Sequence, residues 1–211
     1  MEAEDNIKDF SKADIDALLR KHERVIINLG CGTRKKEGQI GIDQVDLPGI
    51  DVVADLEKGL RFFPDCSVDE IHCRNVLEHI ANLEQILQEM LRVLKKDGKA
   101  YIAVPHFSNP YYYSDPTHIR FFGLYTFYYY VNPAYQLRRK VPTHYSTLRL
   151  RILSQQYVFR FSFSPLGFLK KAIGRLINSS RLLQEYYEEN LTRLIPAHSL
   201  EIVFCRPNAK I

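Results

Sequence analysis

The sequence predicts an α/β fold whose core is a doubly wound, mostly parallel sheet. Five short β-rich segments follow one another through the first half of the chain, at 25–29, 39–43, 51–54, 69–74 and 99–104. Helical patterns or short crossovers separate them, and strands connected in this way form parallel sheets. With 211 residues, of which 45% are hydrophobic, the chain can bury one full core.

The predicted helices follow from the spacing of apolar residues. From 82 to 95 these residues recur at helical spacing, and Asp97-Gly98 is typical of a helix end. Residues 7–22 show an amphipathic pattern and predict a lead-in helix with Ser11 as its cap. The two patterns place one helix before the sheet and one in the crossover to the strand at 99–104.

Composition and local sequence disfavour a membrane-spanning, a secreted or a metal-binding protein. No apolar run reaches the ~18 residues that cross a bilayer, and the acidic N-terminus lacks the basic and apolar regions of a secretory signal. The four cysteines have no CxxC spacing, which predicts buried thiols and a cytoplasmic protein. The local group of His72, Cys73, Glu78 and His79 has the spacing of no standard metal site, so no metal is predicted.

A glycine-containing turn after the first of these five strands predicts a cofactor site. Gly30 and Gly32 follow the apolar run 25–29, and Asp43 ends the next strand. Glycines let the backbone approach a ligand closely, and a carboxylate can accept hydrogen bonds from both ribose hydroxyls. The third glycine of a nicotinamide fingerprint is replaced by Lys35, and the Gly-Lys-Ser/Thr of a phosphate loop is absent. A different nucleoside-containing cofactor is therefore indicated.

An ordered series of motifs over about residues 25–106 resembles the class I S-adenosylmethionine (SAM)-dependent methyltransferases. Residues 25–32 resemble the first cofactor loop, Asp43 the acidic ribose ligand, and 52–56 the segment along the adenine. Residues 68–80, with Leu-Glu-His near their end, resemble the strand-four signature, and 91–99 the turn before strand five. The likeness is greatest to small bacterial methyltransferase-like proteins whose first loop reads Asn-Leu-Gly-Cys-Gly.

This resemblance implies a Rossmann-like sheet with an antiparallel last strand. The two last strands are predicted at 157–163 and 200–204. The implied cofactor is SAM, and the positions that match the family's cofactor contacts are Asn28, Gly30, Cys31, Gly32, Asp43, Asp55, Leu56, Asn75, Val76 and His79.

Two positions depart from the family pattern. Asn28 stands where most members have Asp or Glu, so this position can hydrogen-bond the cofactor's ammonium but supplies no charge. Only residues 30–38 separate the first strand of the core from the second, which is shorter than an ordinary helical crossover. We therefore expect a shortened first crossover in which the usual helix is reduced to a turn.

The segment after the strand at 99–104 predicts the acceptor site. Residues 107–135 hold twelve of the 25 aromatic side chains, which suits a concave and mostly apolar site. The alternative is a second core under a lid. Family members often carry Asp-x-Thr-His followed by Arg in the segment over the pocket, and the Asp115-Pro116-Thr117-His118 sequence resembles it.

Several side chains of this region are candidates for acceptor chemistry. A carboxylate that orients an imidazole makes a general base, so His118 with Asp115 is the predicted base and His106 the second candidate. The alternative for Asp115 is a hydrogen bond within its own turn. Arg120, Tyr111 and Tyr112 are the predicted acceptor contacts.

The charge is distributed unevenly along the chain. Residues 116–184 contain eleven Lys and Arg and no Asp or Glu, which favours an anionic partner. A phosphorylated or nucleotide-linked sugar, RNA and an anionic membrane surface are the candidates, and RNA is disfavoured because no RNA-binding module is present. Apolar positions in 166–177 fit either an interfacial helix or a helix packed on the sheet. Peripheral contact with the inner face of a membrane is thus the second location considered.

Together these patterns predict one methyltransferase-like domain over 1–211, with a cofactor core at 25–106, an aromatic cap at 107–148 and a helical insert at 164–196. The predicted activity is transfer of the SAM methyl group to the oxygen or nitrogen of a small, anionic or sugar-like acceptor. The alternatives are a SAM-binding module without catalysis and an RNA- or membrane-associated protein on the same fold. The acceptor, the choice between O- and N-methylation and the oligomeric state stay open.

Overall fold

The computed structural model describes residues 10–11, 14–160 and 167–208. Within these residues the sheet has eight strands, in the order β1-β4-β3-β2-β5-β6-β8-β7. They are β1 (Phe10–Ser11), β2 (Ile26–Leu29), β3 (Gln39–Asp43), β4 (Val52–Val53), β5 (Val68–Arg74), β6 (Leu94–Pro105), β7 (Arg151–Val158) and β8 (Ser199–Cys205). The central pairs are parallel, whereas β8 runs antiparallel to both β6 and β7. The predicted α/β class, with its antiparallel last strand, is confirmed.

Four α-helices accompany the described part of the sheet: α1 (Ile15–Lys21), α2 (Leu83–Val93), α3 (Gly167–Ile177) and α4 (Arg181–Asn190). The predicted cap of the lead-in helix is wrong, because Ser11 lies in β1 and the carboxylate of Asp14 accepts hydrogen bonds from the backbone at the start of α1. Residues 7–9 of that prediction lie outside the described residues. The predicted crossover helix is α2, which ends at Val93 because Leu94 already pairs with Val68 of β5.

The second-last strand begins six residues earlier than predicted. β7 covers Arg151–Val158 instead of 157–163, and residues 161–163 lie outside the described residues. The register explains the shift, since β7 pairs with β8 along its whole length, from Arg151 opposite Cys205 to Val158 opposite Ser199. The prediction followed the dense aromatic run after 156, whereas the strand position is fixed by its partner.

The two faces of the sheet are covered unequally. Ile27, Ile71 and Ile102 point into the main core, where side chains of α2 such as Leu87 and Met90 are also fully buried. The alternate residues of the same strands are only partly buried. The first crossover, residues 30–38, contains turns and no helix, as predicted, and so puts no helix on this second face. Of the four free cysteines, Cys66 is exposed, which contradicts the prediction for that residue.

Helix α4 ties the segment after β6 to the sheet through one carboxylate. Glu188 accepts hydrogen bonds from the Leu124 backbone (2.8 Å) and the Tyr157 hydroxyl (2.8 Å), and its Oε2 lies 3.0 Å from Nε2 of His106. The side chain of Glu188 is only 8% exposed, and that of His106 is fully buried. The end of β6, the cap and β7 are therefore held together by one buried carboxylate. None of the helices in the described part of the chain has the length and apolar content that a membrane span requires.

We predict that Glu188→Ala destabilises the fold strongly. Removing this carboxylate leaves buried donors without an acceptor, which costs about 1–3 kcal/mol for each unpaired group. Urea unfolding followed by circular dichroism measures the loss. Glu189→Ala, one position along on the exposed side of α4, is the matched control and should change the free energy of unfolding by less than about 0.5 kcal/mol. Equal losses in the two variants would contradict the assignment.

Candidate functional site

The two glycines after β2 have backbone conformations that suit a ligand-binding turn. Gly30 and Gly32 both have positive φ, at 59° and 51°. A Cβ added at Gly30 would overlap the Cγ2 methyl of Val76, so this glycine lets the β2 turn pack against the end of β5. A Cβ at Gly32 would have no atom within 4 Å. Gly32 therefore borders open space at the carboxyl edge of the parallel strands, where α/β sheets bind ligands.

Asp43 lies beside this turn and holds it in place. Its Oδ2 accepts a hydrogen bond from the Gly32 backbone at 2.8 Å, and its Oδ1 accepts one from Val45 at 3.1 Å. Each carboxylate oxygen has a second lone pair, so these bonds are compatible with binding of ribose hydroxyls. The structure thus gives Asp43 a role that sequence reasoning missed, as the support of the glycine turn.

The next strand ends complete the same edge. Asp55 follows β4 and accepts a hydrogen bond from Glu57 at the start of a 3-10 helix that contains Leu56. Asn75 follows β5 with a φ of 54°, which is uncommon for a residue other than glycine. The Asn75 backbone donates to Ala103 of β6 at 2.8 Å, which fixes this conformation, and Val76 comes next. These residues and the glycine turn lie at the carboxyl ends of neighbouring strands of the same sheet.

Three predicted cofactor contacts, Asn28, Gly30 and Cys31, border a cavity beside the partly covered face of the sheet. The Asn28 amide donates to Gln39 Oε1 at 3.1 Å, on the partly covered face of the sheet. Asn28 and Cys31 line a cavity of about 520 Å³ on this face, together with basic side chains and Glu201; the basic ones are Arg34, Lys36, Arg74 and Arg160. Burial, with the nearby charge of Asp43, raises the pKa of the Cys31 thiol, which disfavours a reactive thiolate.

Glu78, for which sequence reasoning gave no role, is the unusual side chain of the site. It lies in the 3-10 helix Leu77–His79 directly after β5 and is 1% exposed. Its Oε2 has no hydrogen-bond partner among the described residues. Burial, and then the charge of Asp115, raise the pKa of Glu78 to about 7. The Leu-Glu-His sequence was the available signal, but burial of the middle residue is a tertiary property.

His118 lies against Glu78, and its surroundings differ from the predicted dyad. Its Nδ1 is 2.9 Å from the Tyr112 carbonyl oxygen, so this carbonyl, and not Asp115, orients the ring. The Nε2 lies 3.9 Å from Glu78 Oε1 and 3.6 Å from Asp115 Oδ2. The second nitrogen of His118 therefore faces two carboxylates.

Asp115 also has the role that the sequence left as an alternative, a hydrogen bond within its own turn. Its Oδ1 accepts hydrogen bonds from the backbone and the hydroxyl of Thr117, at 2.9 and 2.6 Å, and these hold the pKa of Asp115 below its usual range. Thr117 also contacts His79, whose Nδ1 is 3.2 Å from the Thr117 carbonyl oxygen. The rings of His79 and His118 meet edge to face with centroids 4.8 Å apart. The cluster thus joins the strand-end motif to the segment after β6.

His106 does not fit the role of second base. Its ring is fully buried, Nδ1 lies 2.8 Å from the Ser108 hydroxyl, and Nε2 contacts Glu188. A general base must reach the proton that it removes. Since both ring nitrogens are engaged inside the cap, we assign His106 to the support of this segment.

The predicted acceptor contacts are mostly structural in this conformation. The guanidinium of Arg120 donates to the carbonyl oxygens of Ile80 and Ala81, and Tyr112 is buried with its hydroxyl donating to the Arg120 carbonyl at 2.7 Å. Tyr111 is 63% exposed. The aromatic segment is therefore divided, because rings such as Phe122, Phe127 and Tyr128 join the main core while others face outward.

Acidic side chains of α4 lie beside part of the basic stretch 116–184. The backbones of Arg138 and Arg139 donate to Glu185 of α4, and the Arg139 guanidinium lies over the ring of Tyr125. Glu189 lines the same surface recess as the two arginines. In α3, Ile177 is buried and Ile173 packs against the core, as expected for a helix packed on the sheet, whereas Leu166 lies outside the described residues.

Comparison with known proteins agrees with this geometry. Residues 32–102 match the model of the methyltransferase domain family. A SAM-dependent methyltransferase from Archaeoglobus fulgidus shares the fold with a TM-score of 0.53 and 18% identity, over 90% of this chain and 92% of the other. A chain from the complex of the Haloferax volcanii Trm112 methyltransferase activator with a putative methyltransferase gives a TM-score of 0.52 at 16% identity, over 92% of this chain and 89% of the other.

A SAM-dependent methyltransferase from Mesorhizobium loti gives a TM-score of 0.50 at 14% identity, over 92% of this chain and 99% of the other. No curated protein matches the sequence. The predicted resemblance to a methyltransferase domain is confirmed for residues 32–102, and the solved structures share the fold of the chain.

We predict different losses for alanine at the two glycines. Both substitutions force an L-residue into the left-handed region, at about 1–2 kcal/mol, but only Gly30→Ala also meets Val76. Gly30→Ala should therefore lower the free energy of unfolding by clearly more than Gly32→Ala, which serves as the matched control for the backbone term. Urea titration of both variants measures the difference. A smaller loss for Gly30→Ala would contradict the packing of the turn against β5.

Proposed function

We propose that this chain is a SAM-dependent methyltransferase, which its domain match and fold support, and that it transfers the methyl group to a hydroxyl of a small polar acceptor. The observation that carries the choice of a hydroxyl is the cluster of Glu78, Asp115 and His118 beside the end of β5. A hydroxyl needs a proton acceptor during methyl transfer, whereas a neutral amine needs mainly alignment.

The proposed SAM site lies at the carboxyl ends of the parallel strands. The turn at Gly30 and Gly32 admits the close approach of the ligand, and Asp43 offers carboxylate oxygens to the ribose. Asp55 with Leu56 and Asn75 with Val76 border the same edge. When bound, SAM supplies an electrophilic methyl group on its sulfonium. His79 follows Asn75 and Val76 and links this edge to the acceptor side.

The proposed acceptor site follows from the position of the Glu78, Asp115 and His118 cluster. Glu78 and His79 follow β5, and the Asp115–His118 turn is fixed to them because the Ile119 backbone donates to the Glu78 carbonyl at 2.9 Å. In the proposed reaction the acceptor hydroxyl gives its proton to the cluster. Its oxygen then forms the bond to the methyl carbon while the carbon–sulfur bond breaks, leaving S-adenosylhomocysteine. The exposed ring of Tyr111 is the remaining candidate for direct acceptor contact.

The nature of the acceptor is proposed from charge and polarity. A phosphate- or sugar-containing small molecule suits the basic composition of 116–184, although Arg138 and Arg139 lie beside Glu185 and Glu189. The basic residues around the cavity on the second face of the sheet lie apart from the proposed acceptor cluster. RNA and membrane partners have no specific contact that favours them.

We predict that Asp43→Ala weakens binding of SAM and S-adenosylhomocysteine by about 2 kcal/mol or more, through lost charge-assisted hydrogen bonds and a loosened Gly32 turn. Isothermal titration calorimetry measures both ligands. Asp97→Ala removes the same charge from an exposed position near the amino-terminal end of β6, at the opposite edge of the sheet, and should leave both affinities unchanged. Absence of SAM binding in the unmodified chain would reject the proposed function.

We predict that His118→Ala lowers kcat by ~10²–10⁴ while SAM affinity stays within about twofold. Release of S-adenosylhomocysteine with a panel of sugar phosphates and nucleotide-linked sugars is the assay. Glu78→Gln should show a loss of the same order, because it removes the charge next to His118 without changing the size of the side chain. Full turnover in both variants would mean that the acceptor needs no proton transfer, as expected for an amine or for an acceptor site elsewhere.

A further inference from the structure

Three potential metal ligands meet at the end of β5. Glu78, His79 and His118 each place one ligand atom so that all three atoms lie within 4.8 Å of one another. The first two are neighbours in sequence, whereas His118 is brought in by the segment after β6. Arg120 anchors that segment by donating to the carbonyl oxygens of Ile80 and Ala81. The convergence is therefore fixed by backbone contacts on both sides.

The buried carboxylate provides an independent observation. Glu78 is 1% exposed, and its Oε2 finds no hydrogen-bond donor among the described residues. Leaving a buried carboxylate oxygen unpaired is costly, and proteins normally pair such groups or place them on a metal ion. A proton on His118 would satisfy Glu78 poorly, since the Nε2 is 3.9 Å from Oε1, beyond hydrogen-bond distance.

Both imidazoles are arranged as metal ligands usually are. The Nδ1 of His118 is 2.9 Å from the Tyr112 carbonyl oxygen, and the Nδ1 of His79 is 3.2 Å from that of Thr117. A carbonyl that accepts the Nδ1 proton leaves the Nε2 lone pair for a metal, and such support from a second hydrogen bond is typical of ligating histidines.

We propose that Glu78, His79 and His118 bind one divalent first-row transition-metal ion and leave one coordination position open. Ligands about 2.1 Å from a tetrahedral ion lie roughly 3.4 Å from one another. The Nε2 of His118 is 3.9 Å from Glu78 Oε1, so a small side-chain shift brings these two atoms to ligand distance. Two imidazoles with one carboxylate favour Zn²⁺, Fe²⁺, Co²⁺ or Mn²⁺ over Mg²⁺ and Ca²⁺, which prefer oxygen ligands.

This inference deepens the proposed function and rests on it for its chemical role. An ion at the cluster would bind the acceptor oxygen and lower the pKa of that hydroxyl, so that its proton would pass to water instead of to His118. The oxygen would then form the bond to the methyl carbon while the carbon–sulfur bond breaks. Such a site requires an acceptor with a hydroxyl, often beside a second oxygen that can also reach the ion. Sugars and other vicinal diols have this chemistry.

The test is a metal titration of the full chain, freed of metal with a chelator and without an affinity tag. Zn²⁺ and Mn²⁺ are titrated calorimetrically, and Co²⁺ by its visible absorption. We expect one ion per chain. His118→Ala and Glu78→Gln should each weaken Zn²⁺ binding by about 10- to 100-fold or more, since even outer-shell changes have effects of this size. His144→Ala removes an exposed histidine and should leave the affinity unchanged.

Two results would overturn the inference. One is absence of Zn²⁺, Mn²⁺ and Co²⁺ binding, which would leave a proton between His118 and the carboxylates. The other is equal affinity in the wild type and in the cluster variants, which would place the ion elsewhere. If Glu78→Gln does not fold, His79→Ala at a partly exposed position gives the same comparison. SAM titrations separate the two proposals, because metal binding without SAM binding rejects the proposed function alone, and SAM binding without metal binding rejects the metal site alone.

Discussion

The parallel pairing of β2 with β5 is the constraint on which the site depends. It places the end of each strand next to the other, and Gly30 then packs against Val76 with no room for a side chain. The cofactor turn and the Asn75–His79 segment are thereby fixed to each other. Since β5 also pairs with β6, the segment that follows β6 starts beside the same edge. The proposed cofactor contacts and the proposed proton-accepting groups thus become neighbours through backbone hydrogen bonds.

The cap after β6 is held by buried polar contacts as well as by aromatic packing. Glu188 gathers a histidine, a tyrosine and a backbone amide, and Glu185 accepts from the backbone at 138–139. Such groups are costly to bury, and they are stable here because each has its partners. His106 belongs to this framework. A histidine directly after a strand can therefore be a structural residue instead of a general base. The identity of its hydrogen-bond partners separates these two roles.

The shortened first crossover has a consequence for the shape of the molecule. Where a helix would normally cover the sheet, residues 30–38 form turns, and polar and basic side chains line a cavity on that face. Asn28, whose position in the family is usually acidic, donates to Gln39 on this side. The unusual Asn28 and the shortened crossover thus affect the same face of the sheet. The proposed cofactor edge is formed by the strand ends and not by the missing helix.

The sequence by itself determined the sheet, its central strands and the crossover helix, and it predicts the positions of the cofactor edge. These follow from local signals: apolar periodicity, glycines in a turn, and a carboxylate at a strand end. The position of β7 was missed because a strand is fixed by its partner, and Ser11 was replaced as cap by Asp14. Only the tertiary structure decided the acceptor side. Glu78 acquires its raised pKa through burial, and His118 meets it across 39 intervening positions. No spacing rule encodes such a contact, since it depends on how the segment after β6 folds back over the sheet.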